Sequence, residues 1–330
     1  MDKICMFAPR LYHAIETMGF YFSSTGHKVV FATQDGGDEK TEHPWSLRRI
    51  QDANHTVRLT SDSPEHVDLL IADAFVDHKK YAADLARWSS ASKQTAFLFP
   101  HDGTTVKRRA GHFLRLWPQS FKAKTSIFVG DRRMTADTAS PAFQRRAFYL
   151  PYIHPQLFTE ERLRRVFDDF SDVGSRPYSI GFIGNRNPPE RGRDLKECQE
   201  AISKANAKVI WIDYGDDGHS NALSPEDYID TLGEMDFCIC PAGWDGNWTH
   251  RVIESICRGA IPILPDPHLY GLSLHDSVTC LIVENNWAST ISRALCLPTS
   301  RIRQMRQNLR EMRERLLIPS AVAKRFCQQF

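Results

Sequence analysis

The strongest constraint on what this chain can fold into is a pattern that runs through it twice. Short, almost unbroken apolar runs alternate with stretches of helical periodicity. In the first half the runs are ICMFAP from Ile4, KVVFATQD from Lys28, VDLLIADAF from Val67, QTAFLFPHDG from Gln94 and SIFVGD from Ser126, with a helix expected through Ala14 to Gly26. Runs of this length, apolar on both alternating faces and bounded by Gly, Pro, Asp and His, are what parallel strands covered on both sides require. An open α/β sheet follows.

A second series begins with YSIGFIG at Tyr178 and a helix from about Arg191 to Ala207, then continues through AKVIWIDYG, DFCICPAG, AIPILPD and TCLIVE. Between the two series lie RAFYLPYIHPQLF, Arg146 to Phe158, with two prolines in an extended stretch, and the charged helical segment TEERLRRVFDDF. At roughly one domain per 150 residues, 330 residues suit two domains. The expected organisation is an α/β protein of two Rossmann-like lobes with parallel sheets, residues 1–152 and 153–315, with a helical tail at 316–330 packing back on the first lobe.

Charge narrows the function classes. Lys plus Arg number 42 against 40 Asp plus Glu, so no global field selects a nucleic acid and any anion site has to be local. The helix carrying Ile302, Met305, Leu309, Met312 and Leu316 is ringed by Arg301, Arg303, Arg306, Arg310 and Arg313, which are expected to form a solvated face. That basic face leaves room for peripheral association with a membrane. The start of the chain interrupts its apolar residues with Asp2, Arg10, His13 and Glu16, and no run of about 18 apolar residues occurs, so a cytoplasmic location is expected. Eight cysteines without CxxC spacing read as reduced, mostly buried thiols. Cys238 and Cys240 share a strand face, where core packing outweighs metal binding because two ligands do not make a site.

The segment richest in chemistry is DFCICPAGWDGNWTHRVIESICRGAIPILPD, Asp236 to Asp266. A buried strand ends at Pro241, a loop holds Gly243, Asn247 and Gly246, a helix runs from about Thr249 to Arg258, and Gly259 ends it before the next strand. On that helix Val252, Ile253, Ile256 and Cys257 share one side, and Arg251, Glu254 and Arg258 fall together on the other, so one face is buried and a charged one is offered. The first N–H groups of a helix lack intrahelical partners and its start is partially positive, which suits a phosphate reached by a glycine loop. Arg251 adds a planar donor fork for phosphate oxygens. Glu254 is placed to accept from vicinal hydroxyls such as those of a ribose. The alternative for the same residues is a surface ion pair beside turn-forming glycines.

These residues resemble the donor-binding segment of exostosin-type glycosyltransferases. Cys240, Pro241, Gly243, His250, Arg251, Glu254, Gly259 and Pro262 occupy the places of that pattern, and SPEDYIDTLGEMDFCICP before it is similar to the segment that precedes it in the family. More loosely, the whole chain looks like a GT-B glycosyltransferase, with its two lobes facing a central cleft. The resemblance implies a nucleotide-sugar donor, most simply a UDP-sugar, held by the second lobe, a glycan acceptor held by the first, and no required metal or other cofactor. It departs from the membrane-anchored animal and plant members in showing no anchor, which points toward a bacterial or viral enzyme of surface polysaccharide synthesis.

Two further groups of residues enter the reading. In GFIGNRNPPERGR, Gly184 ends a strand, and Asn185, Arg186, Arg191 and Arg193 line the loop and helix start beyond it; the resemblance gives Arg186 a place on the donor diphosphate. Sugar transfer with inversion needs a base for the acceptor hydroxyl, and either outcome needs charge stabilisation on the leaving phosphate. The candidate bases follow strands of the first lobe: Asp102 and His101, then His13, with Asp35 behind them. Trp244 and Trp248 suit stacking on a base or sugar as well as loop packing. The rival functions are a nonhydrolysing sugar-nucleotide epimerase, which would turn over without an acceptor, and a silent nucleotide-sugar-binding module.

Overall fold

The computed structural model describes residues 1–8, 13–34, 54–73, 78–99, 123–128, 147–157, 159–168, 170, 176–187, 189–215, 222–243 and 249–330. The chain divides into two compact units, Met1–Glu160 together with Pro319–Phe330, and Glu161–Ile318.

In the first unit the apolar runs become β1 (Lys3–Phe7), β2 (Lys28–Thr33), β4 (Val67–Asp73), β5 (Ser92–Phe99) and β6 (Ala123–Phe128), all in one sheet of order β3-β2-β1-β4-β5-β6-β7. Every pairing in it is parallel. Helix α1 (His13–Ser23) follows β1 and α2 (His78–Ser90) follows β4. The core is built by residues such as Cys5, Phe7, Leu70, Phe97 and the fully buried Trp88. Helix α1 sits so closely on β2 that a Cβ at Gly19 would come within 2.2 Å of the Phe31 ring.

Two strands went unread in the sequence. β3 (His55–Leu59) is an edge strand with Thr56, Arg58 and Leu59 exposed, so it lacks the apolar run that marks an interior strand. β7 (Ala147–Tyr149), only three residues long, lies inside the two-proline stretch between the two series of runs.

The second unit opens with α3 (Glu160–Phe167). Its sheet has the order β12-β11-β10-β8-β9, again wholly parallel, formed by β8 (Tyr178–Gly184), β9 (Val209–Asp213), β10 (Met235–Ile239), β11 (Ile261–Leu264) and β12 (Leu281–Ile282). Between them run α4 (Pro189–Ser203), α5 (Pro225–Gly233) and α6 (His250–Cys257), and beyond them α7 (Trp287–Leu295) and α8 (Thr299–Leu316). Local chemistry sets the helix ends. Ser224 caps α5 by accepting from the Asp227 N–H at 3.1 Å with Pro225 in the first turn, and Asn286 caps α7 through the Ser289 N–H at 2.7 Å. Gly259, at φ +72°, ends α6 where a side chain would be strained and would press on Arg176 and Phe170.

The arginine row of α8 is not uniformly solvated, which corrects the expectation. Arg306 is 1% exposed, pairs with Asp236 and donates to the Gly259 carbonyl at 3.1 Å; Arg313 is buried over the Phe170 ring. Arg301, Arg303 and Arg315 do face solvent. The helical spacing located the arginines correctly around the axis but not the strand end that packs against them. Helix α9 (Pro319–Cys327) packs on α1 in the first unit through Phe326, whose ring lies 5.3 Å from Phe22 and 5.1 Å from Phe148.

Candidate functional site

Chain order within the second sheet places its first strand, β8, between the second, β9, and the third, β10. Connections from β8 and β10 therefore leave in opposite directions, and a crevice opens at their carboxyl ends, the position where open α/β sheets take ligands. Gly184 ends β8 at that point, Ala242 and Gly243 follow β10, and the first turn of α6 returns to it.

Arg251 is the centre of this crevice. It is 5% exposed, its guanidinium lies 5.0 Å from the centre of the Phe182 ring, and its Nη2 occupies space that a Cβ at Gly184 would enter at 2.1 Å. Phe182 is itself flanked by Trp211, with ring centres 5.1 Å apart. Attraction to the ring face favours the cation but gives its N–H donors no acceptor. Its Nε and Nη1 are buried without a hydrogen-bond partner.

A second guanidinium stands nearby. Arg191, in the first turn of α4 and 6% exposed, donates from Nε to the Ala242 carbonyl at 2.7 Å and from Nη1 to the Asn185 Oδ1 at 2.9 Å. It thus ties the loop after β8 to the loop after β10. Burial and then the Arg251 charge pull its pKa down to about 9. A guanidinium remains charged at neutral pH even so; Arg251 itself is shifted the other way, because its burial is outweighed by Tyr228, the Cys240 and Cys238 thiols and Glu254 around it.

Glu254, one turn after Arg251, is 1% exposed. Its Oε2 accepts from the Tyr228 hydroxyl and lies 4.0 Å from His250 Nε2. Thr249 precedes α6 in extended geometry and its side chain makes no capping bond to the first-turn N–H groups. Burial raises the Tyr214 hydroxyl, against the nearby Arg251 charge.

The structure therefore brings Gly184, Asn185, Arg251 and Glu254 together, with Gly243, Thr249 and His250 around them. Two expectations are corrected. The charged side of α6 does not face solvent, since every residue from Arg251 to Cys257 is buried. Nor does Arg258 belong with the other two: it donates to the carbonyls of Ile229 and Arg165 and pins α6 to α5 and α3. A helical wheel fixes direction around an axis and says nothing of what covers each side. Arg186 is half exposed and is held by Asp213, with Nε to Oδ2 at 2.6 Å, so the salt bridge engages the fork expected on the diphosphate.

Arg191 is the residue undervalued in the sequence. Its signal was Pro189, the first residue of α4, which puts Arg191 in the first turn. Asn247, Trp244 and Trp248 lie outside the described residues, as do His101, Asp102 and Asp35. His13 begins α1, with its side chain likewise outside them. Among the described residues no group of three or more His, Cys, Asp or Glu could hold a metal ion. Nor is any described helix long and apolar enough to cross a membrane.

No family model matches the chain. Among curated proteins it is similar to the probable glucuronosyltransferase GUT1 of Oryza sativa subsp. japonica, at 24% identity over 146 residues, which are 44% of this chain and 30% of that protein. It is also similar to the probable beta-1,4-xylosyltransferase IRX10L of Arabidopsis thaliana, at 26% over 121 residues, 34% of this chain and 25% of that one. The matches thus cover less than a third of either relative. Among solved structures, Anabaena HepE in complex with UDP-glucose matches with a TM-score of 0.59 at 9% identity, over 99% of each chain. The N-terminal domain of Candida albicans trehalose-6-phosphate phosphatase matches with a TM-score of 0.57 at 11%, over 99% of this chain and 96% of that one. The likenesses show the fold, which is that of the GT-B glycosyltransferases. The resemblance to exostosin-type enzymes has the plant transferases behind it.

Proposed function

We propose that this chain transfers a sugar from a nucleoside diphosphate sugar, most simply a UDP-sugar, to a hydroxyl of a glycan acceptor. The observation that carries the proposal is Arg251: a buried cation whose Nε and Nη1 have no acceptor, beside a second cation, at the carboxyl ends of β8 and β10. Buried donors without partners are costly, and an anion placed there removes that cost. A diphosphate fits because the two guanidiniums come from different elements and meet negative charge from two sides. The plant relatives, named as glucuronosyl- and xylosyltransferases, and the UDP-glucose of the HepE complex support a sugar-nucleotide as the anion.

In this reading Arg251 and Arg191 stabilise the charge that develops on the leaving diphosphate, in surroundings dry enough to strengthen the interaction. The uncapped first turn of α6 adds its N–H groups to the same oxygens. Glu254 accepts from the ribose hydroxyls. The first unit holds the acceptor, with His101, Asp102 and His13 as the candidate bases.

A thermal-shift screen against UDP, GDP, CMP, dTDP and ADP tests the site, because a ligand confined to the folded form raises its melting temperature. UDP is expected to give the largest shift. Arg251→Ala and Arg191→Ala should each weaken UDP binding about tenfold to a hundredfold, the range for a lost charged hydrogen bond. Unchanged affinity in both variants would overturn the assignment, as would a screen in which no nucleotide shifts the wild type.

A further inference from the structure

Tyr228 is a half-buried polar group at the site to which donor binding assigns no role. It lies on α5, the helix that leads into β10, and reaches across to α6. Its hydroxyl donates to Glu254 Oε2. Burial first, and then the Glu254 charge, push that hydroxyl well above the ordinary phenol range, so it remains a donor wherever the fold persists.

The geometry matters because of what Glu254 has to do. A glutamate has three rotatable side-chain bonds, and a diol is recognised only when the accepting carboxylate oxygen points in the right direction. Backbone position on α6 fixes neither oxygen. A hydrogen bond from a second element to one oxygen fixes the direction of the other, and the 4.0 Å approach of His250 to that same Oε2 puts both neighbours on one side of the carboxylate.

We infer that Tyr228 is a positioning residue for nucleotide recognition, which orients the Glu254 carboxylate toward a ribose diol by holding one of its oxygens. This rests on the donor reading of the site. It assigns the preference for ribose over deoxyribose to a residue outside the loop and helix that carry the phosphate contacts.

The test is calorimetric titration of the wild type and Tyr228→Phe with three ligands: UDP, 2′-deoxyUDP and inorganic pyrophosphate. The wild type is expected to prefer UDP to 2′-deoxyUDP by about tenfold or more. In Tyr228→Phe that ratio should fall toward one while the pyrophosphate affinity stays at the wild-type value. A merely structural role would weaken all three ligands in proportion, and that result overturns the inference; so does a variant that keeps the full ribose preference. If the wild type binds neither UDP nor pyrophosphate, the donor reading itself fails, and the inference with it. Should the single variant melt below the working temperature, Glu254→Gln is compared with Glu254→Gln/Tyr228→Phe, where no buried carboxylate is left unpaired. Both are then expected to bind pyrophosphate without ribose preference, and a preference surviving in either overturns the inference.

Discussion

Gly184 and Arg251 show how a single missing side chain shapes a charged site. The guanidinium lies where the β8 backbone has no Cβ to exclude it, and the glycine's φ of +151° adds strain to any replacement. Gly184→Ala should therefore displace Arg251 and reduce pyrophosphate affinity to the level of Arg251→Ala, read by titration calorimetry. Glu16 is the other residue whose chemistry is set by burial. It is 1% exposed in the first turn of α1, its Oε2 has no partner, and burial raises its carboxyl to about 8. The sign follows from linkage. Below the usual carboxylate pKa of about 4.5 both folded and unfolded chains hold the proton, and stability is unaffected. Between there and about 8 the unfolded chain releases it and the folded one keeps it, so stability falls as pH rises, by roughly 1.4 kcal/mol per pH unit at most. Denaturant titrations from pH 5 to 8.5 should show the first unit weakening in the wild type and this slope lost in Glu16→Gln.

At the scale of elements, the strands of the second sheet were legible to both its edges, β9 and β12, while the two edges of the first sheet, β3 and β7, were not. β1, β2, β4, β5, β8 and β10 are buried on both faces and had to be written as apolar runs; β3 has exposed side chains and carries no such mark. Helix α6 was located from its loop and its terminating glycine, yet its charged residues turned out to be enclosed. Helix α9 illustrates what a short element contributes. Phe326 is fully buried against Phe22 and Phe148 although it lies at the far end of the chain from them. Phe326→Ala is expected to cost the first unit about 3–5 kcal/mol, the usual range for removing a core aromatic. Chemical denaturation followed by a probe in the first unit measures it, and a loss under 1 kcal/mol would show that α9 does not hold that core.

For the whole molecule, the proposed donor contacts fall within one of the two compact units. The phosphate and ribose contacts proposed for the donor all come from residues between Gly184 and Glu254, inside the second unit. Hydrogen exchange with saturating UDP should accordingly slow at β8, β10 and α6, with β1 and β2 unchanged in the same experiment. Protection confined to the first unit would place the nucleotide elsewhere and remove the basis of the functional reading. The near balance of 42 basic and 40 acidic residues agrees with a site whose charge is local, since Arg191 and Arg251 act within a few residues of one crevice.

The sequence alone determined the class of fold, because a strand buried on both faces leaves no freedom in its composition, and two series of such strands require two parallel sheets. It also determined which segment bears the chemistry, through a glycine loop, a helix start and a charged pair one turn apart. Tertiary structure decided the rest. Strand order placed β8 between β9 and β10 and so created the crevice; packing enclosed Arg251 and Glu254 that spacing had put on an open face; Arg186 was taken by Asp213 while Arg191 came forward. These outcomes depend on contacts between residues tens of positions apart, and the burial that shifts a charge or strands a donor exists only once those distant segments have met.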